Sequence, residues 1–562
     1  MSHSNVTAAL ASISSNTGIP VSLVDDTLVV AGRQVDLPTK LTGEQQELFG
    51  LDGLLPTVPR ADDRDKLLWR VIAEARPRDE PTASLLSDRA LETGIQAKLN
   101  LQPEAARTVA AAMKSRFFSS NKKLNVLLPV HAALPLNYAH YGATGKASRY
   151  RMFNGGILPF LLWNSRTNEA DSVLLSRLLE ITADNDALTE LDRKFLEIAL
   201  EQAPDPQAAP DGPALISRYR ESLTRQMTSA GGAFCQPSLD LFRRDLETVL
   251  QTPLPQPDMI EWVTLLLSLH LTVRLYRIAV VKGSELDLAV AAAAASQLAL
   301  PPDVTQCACA AGQQPEECLK KCSLAGMLKF RTGSGHFRSV SDRDGCRSSY
   351  VEVDQRRLLD MPATLVTATL ACRAWAALGG GTAAEHRDLK ALSEALTRDE
   401  ELRQTHGAAC SAIAVLHRNA WRKGHATPDE LHEAAATNAS RPGLHALREE
   451  VRRSRSRDLR HQSRDIVNQL MLDVNLAGPG ALITRNGTRG FYEIDEQLLL
   501  LLVRLICRDR QLPYESFLEE LLVYGLAPQD QREQGTLADT LERLGLLVRY
   551  SDAGEAAFVH YA

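Results

Sequence analysis

The chain has 562 residues, enough for roughly two to four domains with sizeable cores. Charged residues make up 23% and the net charge is −6, which excludes a uniformly basic nucleic-acid coat but leaves room for a local basic face. Aromatic residues are sparse at 5%, and the abundance of Ala and Leu favours a mainly α, multidomain fold.

The first twenty residues, MSHSNVTAALASISSNTGIP, lack a cationic stretch followed by an apolar one, so no export signal is read there. The most apolar long stretch, Trp262 to Val281, carries His270, Arg274 and Arg277 and is expected as a buried helix rather than a bilayer span. A cytoplasmic protein is the expectation. In that compartment clustered cysteines point to metal or redox chemistry more often than to disulfides.

Residues 1–60 read as an irregular segment with one short β-hairpin, since Val21 to Val35 alternate and are β-branched. Helical spacing sets in at about 63, and residues 61–203 form a helical domain. Pro103 followed by Glu104 suits the first turn of a helix. Within this domain, residues 114–153 interleave cations with rings; Lys122 and Lys123 lie near Phe117, Phe118 and Tyr138. Such a mixture suits either a groove tracking a nucleic-acid backbone or a solvated junction between domains. The Pro- and Asp-rich stretch 201–214 is the clearest linker, and residues 204–300 follow as a helical core with two long apolar helices.

Residues 301–350 form a cysteine-rich knot. Cys307, Cys309, Cys318 and Cys322 are spaced C-x-C-x8-C-x3-C, with Cys346 and His336 as further candidate ligands. Zinc takes four soft or borderline ligands from two close pairs, and these cysteines supply two pairs. Four thiolates also suit an iron–sulfur cluster, so zinc and iron–sulfur both stand; either closes a structural site, because four protein ligands leave no open position. The basic segment after the pairs holds Lys329, Arg331, Arg338, Arg343 and Arg347 and reads as a phosphate-contacting loop or a solvated one.

Residues 351–440 are helical again. A helix ends at Gly379-Gly380-Gly381, and another starts with Thr427 as cap, Pro428 at its first position and Glu430 three residues from the cap. An arginine-rich helix and linker at 441–480 follows, with Arg452, Arg453, Arg455 and Arg457 as candidate phosphate contacts. Residues 481–562 read as an Asn486-Gly487 turn, three helices and a hairpin around Ser551 to Glu555, with Thr536 capping the third helix and Gly545 stopping it. Three helices followed by a hairpin is the order of a winged helix-turn-helix.

Signals for catalysis are poor. The chain contains no phosphate-binding G-x-x-x-x-G-K-[ST], no G-x-S-x-G and no H-E-x-x-H. Glu190, Asp192 and Lys194 resemble part of a metal nuclease site, but converging carboxylates are missing and the spacing fits a helix surface. His406, His417 and His425 recur near Cys410 and are read as helix residues.

The leucine-rich helix, the helix ending GLLVRY and the tail SDAGEAAFVHY resemble the end of the DptG component of DNA phosphorothioation-dependent restriction systems, over about the last seventy residues. Related accessory subunits occur in other prokaryotic anti-phage systems. The resemblance implies a non-catalytic subunit that helps recognise or hold DNA beside an ATPase or helicase and a nuclease. A scaffold subunit without DNA contact is the first alternative, and a nuclease the second.

Overall fold

The fold is given by a computed structural model. The structure describes residues 2–37, 88–117, 161–182 except 165 and 168, 190, 235–296, 314–332 except 323, 355–380, 389–435, 443–455, 483–550 except 487 and 488, and 557–561. These residues form fifteen α-helices and twelve short strands, so the chain is mainly helical.

The chain opens with a helix, α1 (Ser2–Thr17), where the composition suggested irregular structure. Val6, Ala9, Leu10 and Ile13 recur at helical spacing and all are buried, which outweighs the Ser- and Asn-rich remainder. The expected hairpin is present and gains a strand: β1 (Val21–Val24), β2 (Thr27–Val30) and β3 (Arg33–Val35) form an antiparallel meander. Both connections have two residues at positive φ, Asp25-Asp26 and Ala31-Gly32, the backbone that tight hairpins of this twist require.

Helices α2 (Asp88–Leu99) and α3 (Pro103–Phe117) follow, with Pro103 and Glu104 in the first turn of α3 as the spacing predicts. A two-stranded pair, β4 (Trp163–Asn164) and β5 (Glu169–Ala170), interrupts a region expected to be helical and leads into α4 (Ser172–Thr182). The Pro-rich stretch 251–258 reads as a break between helices; after α5 (Gln236–Gln251) it narrows to Thr252–Pro255, and a 38-residue helix begins, α6 (Gln256–Ala293). Two apolar helices are expected across this stretch, but there is one, and it runs through Gly283. Lys282 and Glu285 bridge the glycine at 2.7 Å, and Arg357 donates to Ser284 Oγ at 3.0 Å, so neighbouring charges and a packed helix carry α6 through it.

At 1.5 Å per residue α6 is about 57 Å long and serves both hydrophobic cores. Its first two-thirds, Met259 to Val280, pack with α4, α5 and the C-terminal elements. Its last turns, Leu286 to Ala292, pack with α8 (Gln355–Ala377), α9 (Leu389–Arg398) and α12 (Gly443–Arg455) and join the core that α1, the N-terminal meander, α10 (Glu400–Trp421) and α11 (Pro428–Ala435) complete. Among the described residues α6 is also the one helix long and apolar enough to cross a membrane, and 94% of its most apolar window is buried inside the protein. In α11, Thr427 and Glu430 exchange backbone hydrogen bonds as a reciprocal cap (3.3 and 3.0 Å), matching the sequence signal. Gly379, at φ 90°, ends α8 as expected.

The cysteine-rich segment contributes α7 (Pro315–Lys320) and β6 (Leu328–Thr332). The C-terminal region contributes β7 (Ile483–Asn486), β8 (Arg489–Ile494), α13 (Glu496–Cys507), β9 (Leu512–Pro513), α14 (Tyr514–Leu521), a 3-10 turn at Leu522–Tyr524, β10 (Leu526–Pro528), α15 (Gln531–Arg543), β11 (Leu547–Arg549) and β12 (Ala557–Val559). Helix α15 starts earlier than the expected cap at Thr536. Asp530 caps it instead, accepting from Glu533 N at 2.9 Å, and Gly535 is carried inside the helix with open space around it. Gly545, at φ 72°, is the stop, as predicted. Two sheets result, in the orders β10-β6-β8-β7 and β11-β12-β9.

Candidate functional site

The seam between the cysteine-rich segment and the C-terminal elements holds four of the predicted site residues, Cys318, Cys322, Lys329 and Arg331. Strand β6 lies inside the four-stranded sheet, parallel to β10 on one side and β8 on the other. The segment is therefore woven into the C-terminal region. Leu328 N donates to Gly525 O (2.9 Å), Gln529 N to Phe330 O (3.0 Å) and Thr332 N to Glu533 Oε1 (2.5 Å). Gly326, at φ 65°, lies so close to the C-terminal elements that a Cβ there would come within 2.7 Å of Leu522 Cδ2 and 3.1 Å of Ala527 Cβ.

This placement changes the reading of the basic segment. Lys329 and Arg331, expected on a loop, alternate on an interior strand with the buried Leu328, Phe330 and Thr332, and Arg331 Nε donates to Gln529 Oε1 at 3.4 Å. Cys318 is buried on α7, and Cys322 is half-buried against the apolar core. Cys307, Cys309, Cys346 and His336 lie outside the described residues, as do Arg338, Arg343, Arg347, Arg457, Lys122 and Lys123. Among the described residues no three His, Cys, Asp or Glu side chains gather as metal ligands.

A buried polar cluster sits beside the seam. Asp245 on α5, with no exposure, accepts from Arg244 (3.2 Å) and meets His270 Nε2 of α6 at 3.1 Å. The His270 ring packs edge-on against Phe242 and Tyr524, with centroids 5.2 and 6.0 Å apart. Glu316 of α7 pairs with Arg244 and lies 3.8 Å from Arg508, which follows α13. Burial, then the Asp245 charge, pushes the Tyr524 hydroxyl well above the ordinary tyrosine range. Burial, with Arg244 beside it, lowers Arg508. Next along α6, Arg274 donates to Ser238 Oγ at 2.7 Å and Arg277 to Val523 O at 2.9 Å. Charges buried in this way are held by one another, so the cluster locks α5, α6, α7 and the C-terminal elements in one arrangement. His270, Arg274 and Arg277 inside an apolar helix signal buried partners in the sequence. That the partners are Asp245, Ser238 and the Val523 carbonyl is visible only in the fold.

Arg448, Glu450, Arg452 and Arg453 of the arginine-rich helix α12 pair within the chain. Arg418 of α10 makes a two-pronged contact with Glu450 at 2.5 Å, both side chains only 3% exposed. Arg448 pairs with Asp287 (2.7 Å), Arg452 with Asp360 (3.3 Å) and Glu449 (3.5 Å), and Arg453 with Glu433 (2.8 Å). Arg455 is the last residue of the helix. Of the nuclease-like trio, only Glu190 is among the described residues, and it is exposed on a helix. His406 and His417 are fully buried on α10, with His406 Nε2 3.0 Å from Ala371 O.

The C-terminal residues 496–561 carry six arginines and no lysine against eleven carboxylates, a balance of −5 in a chain whose total is −6. On α15 the ratio is two arginines, Arg532 and Arg543, to three acids, Glu533, Asp539 and Glu542. Arg543 pairs with Glu496 (2.7 Å), and Arg549 with both Asp539 and Glu542 (3.1 Å each). This imbalance is legible in the sequence once the boundaries of the region are known. No family model matches the chain, and no curated protein matches it.

Proposed function

We propose that the chain is a non-catalytic scaffold subunit of a multiprotein assembly, of the prokaryotic anti-phage kind that the C-terminal resemblance implies. In this reading residues 496–561 are a winged helix-turn-helix that docks a protein. The charge balance of −5 over those residues carries it, because a helix entering a DNA groove works against a phosphate backbone and gains from the opposite sign. The three helices α13, α14 and α15 followed by the antiparallel β11 and β12, with β12 central between β11 and β9, support the winged-helix assignment, and β10, between α14 and α15, joins the other sheet. The internal pairing of Arg452 and Arg453 supports a structural role for α12.

The DNA-associated subunit is the second reading, favoured by the density of arginine in 441–465 and of basic residues in 329–347. Charge reversal at Arg452, Arg453, Arg455 and Arg457, read by fluorescence anisotropy on duplex and single-stranded DNA over a salt series, separates the two. The scaffold reading expects weak DNA affinity that the reversals leave unchanged while the fold loses stability. Tight, salt-dependent DNA binding that disappears on reversal, with the folded protein and its complex intact, would sink it. The cysteine set Cys307, Cys309, Cys318 and Cys322 is proposed to hold zinc, or an iron–sulfur cluster, on the strength of its paired spacing.

A further inference from the structure

We propose that the solvent-facing side of the β11-β12-β9 sheet is a protein-docking surface, and that its occupant is a partner segment with an apolar centre flanked by lysine or arginine. The inference rests on the protein-docking reading and names where the partner lands and what chemistry it brings.

Strand register divides this small sheet into two faces. Directly paired residues of antiparallel strands point to the same side. Leu547 pairs with Val559 and Val559 with Leu512, and these face the hydrophobic core. Val548 pairs with Phe558 and Phe558 with Pro513, so these three form a row across all three strands on the opposite side. Tyr550, two residues on from Val548, joins the row and packs edge-on against Phe558 with centroids 5.7 Å apart. Val548 is 37% exposed and Tyr550 49%, Pro513 is exposed, and Phe558 lies outside the core that holds its neighbours. The solvent side of an antiparallel sheet is ordinarily polar. A continuous apolar row with two aromatic rings is instead the composition of an interface centre.

Charge selects the occupant. A second copy would bring one −5 region against another, and a nucleic acid would bring its phosphates, so both are repelled. Helix α14 starts directly after Pro513 and exposes Glu515 and, one turn on, Glu519. An apolar row in a region of net negative charge fits a basic, apolar segment of another protein.

The test selects displayed random peptides on the immobilised full-length chain, then measures binding of synthetic enriched peptides by fluorescence anisotropy. Enriched sequences are expected to carry apolar residues between lysines or arginines. V548S/Y550S should weaken their binding by at least about tenfold with the melting temperature unchanged, since two hot-spot side chains are truncated. E515K/E519K should weaken it independently, and added salt should shrink that effect. The proposal is overturned by an empty selection, by enriched peptides without excess basic residues, or by equal binding to V548S/Y550S. It is also overturned if the chain dimerises in solution and V548S/Y550S makes it monomeric. Failure of the protein-docking reading looks different: the chain then binds DNA tightly, and V548S/Y550S leave that binding untouched.

Discussion

Two glycines face each other where α12 crosses α10, and replacing either by alanine should have opposite effects. Gly443 opens α12. A Cβ there would stand 1.8 Å from the carbonyl oxygen of Gly407 and 2.7 Å from Ser411 Oγ. Carbon–oxygen contacts of this type settle at about 3.3 Å or more, so α12 would have to retreat by about 1.5 Å. That retreat also pulls on the buried Arg418–Glu450 pair on the same two helices. Overpacking of this kind costs about 3 kcal/mol, the upper part of the usual range. At Gly407 the added Cβ meets nothing nearer than Gly443 N at 4.0 Å, in the interior of α10. There the swap removes a glycine from a helix and should stabilise by up to about 1 kcal/mol. Hydrogen exchange measured peptide by peptide reads these effects locally, without assuming that a chain with two cores unfolds in one step. In Gly443→Ala the α12 and α10 amides should exchange about a hundredfold faster; in Gly407→Ala they should exchange at the original rate or slower. Unchanged protection in Gly443→Ala, or faster exchange in Gly407→Ala, would refute the close approach on which the argument depends.

Three further outcomes are expected. Arg418→Met alone leaves the Glu450 carboxylate buried without its two-pronged partner and should cost about 3–5 kcal/mol, Glu450→Leu less because Arg418 keeps Glu433 at 3.7 Å, and the double variant recovers most of the Arg418→Met loss; equal destabilisation in Arg418→Met and the double would show that the pair is not coupled. Burial, partly offset by the Ala371 carbonyl, lowers His406 to about 4 from 6.5. Because the unfolded chain binds this proton more tightly, the stability His406 confers is complete above pH 6.5 and lost as pH falls to about 4, up to about 3 kcal/mol. Urea titrations of wild type and His406→Gln should therefore diverge between those pH values, and parallel curves would contradict it. Protein purified without chelator should carry zinc or iron by elemental analysis, and Cys318→Ser should lose it; neither metal in the wild type would end the metal proposal.

Much of the helical architecture was legible because local chemistry decides it. The Thr427–Glu430 cap, the Gly379 and Gly545 stops and the break at Thr252–Pro255 depend on a few neighbouring residues. The apolar burial of α6 and α13 follows from their composition. Where a competing local signal was weaker than packing, the reading failed. The Val6–Ile13 stripe overrode a polar N-terminus, the Lys282–Glu285 bridge and Arg357 held α6 through Gly283, and Asp530 displaced Thr536 as the cap of α15.

By itself, the sequence determined that the chain is helical and where its cysteines and arginines concentrate. Tertiary structure alone decided what those concentrations do. Parallel pairing over long sequence distances has no local signal, so nothing in the segment announces that β6 slots between β8 and β10 and draws Lys329 and Arg331 onto an interior strand. The partners of buried charges are equally nonlocal, as Asp245 with His270 and Arg418 with Glu450 show. The face of a three-residue strand is set by its register, which is why Val548, Phe558 and Pro513 become one apolar row only once the sheet is formed.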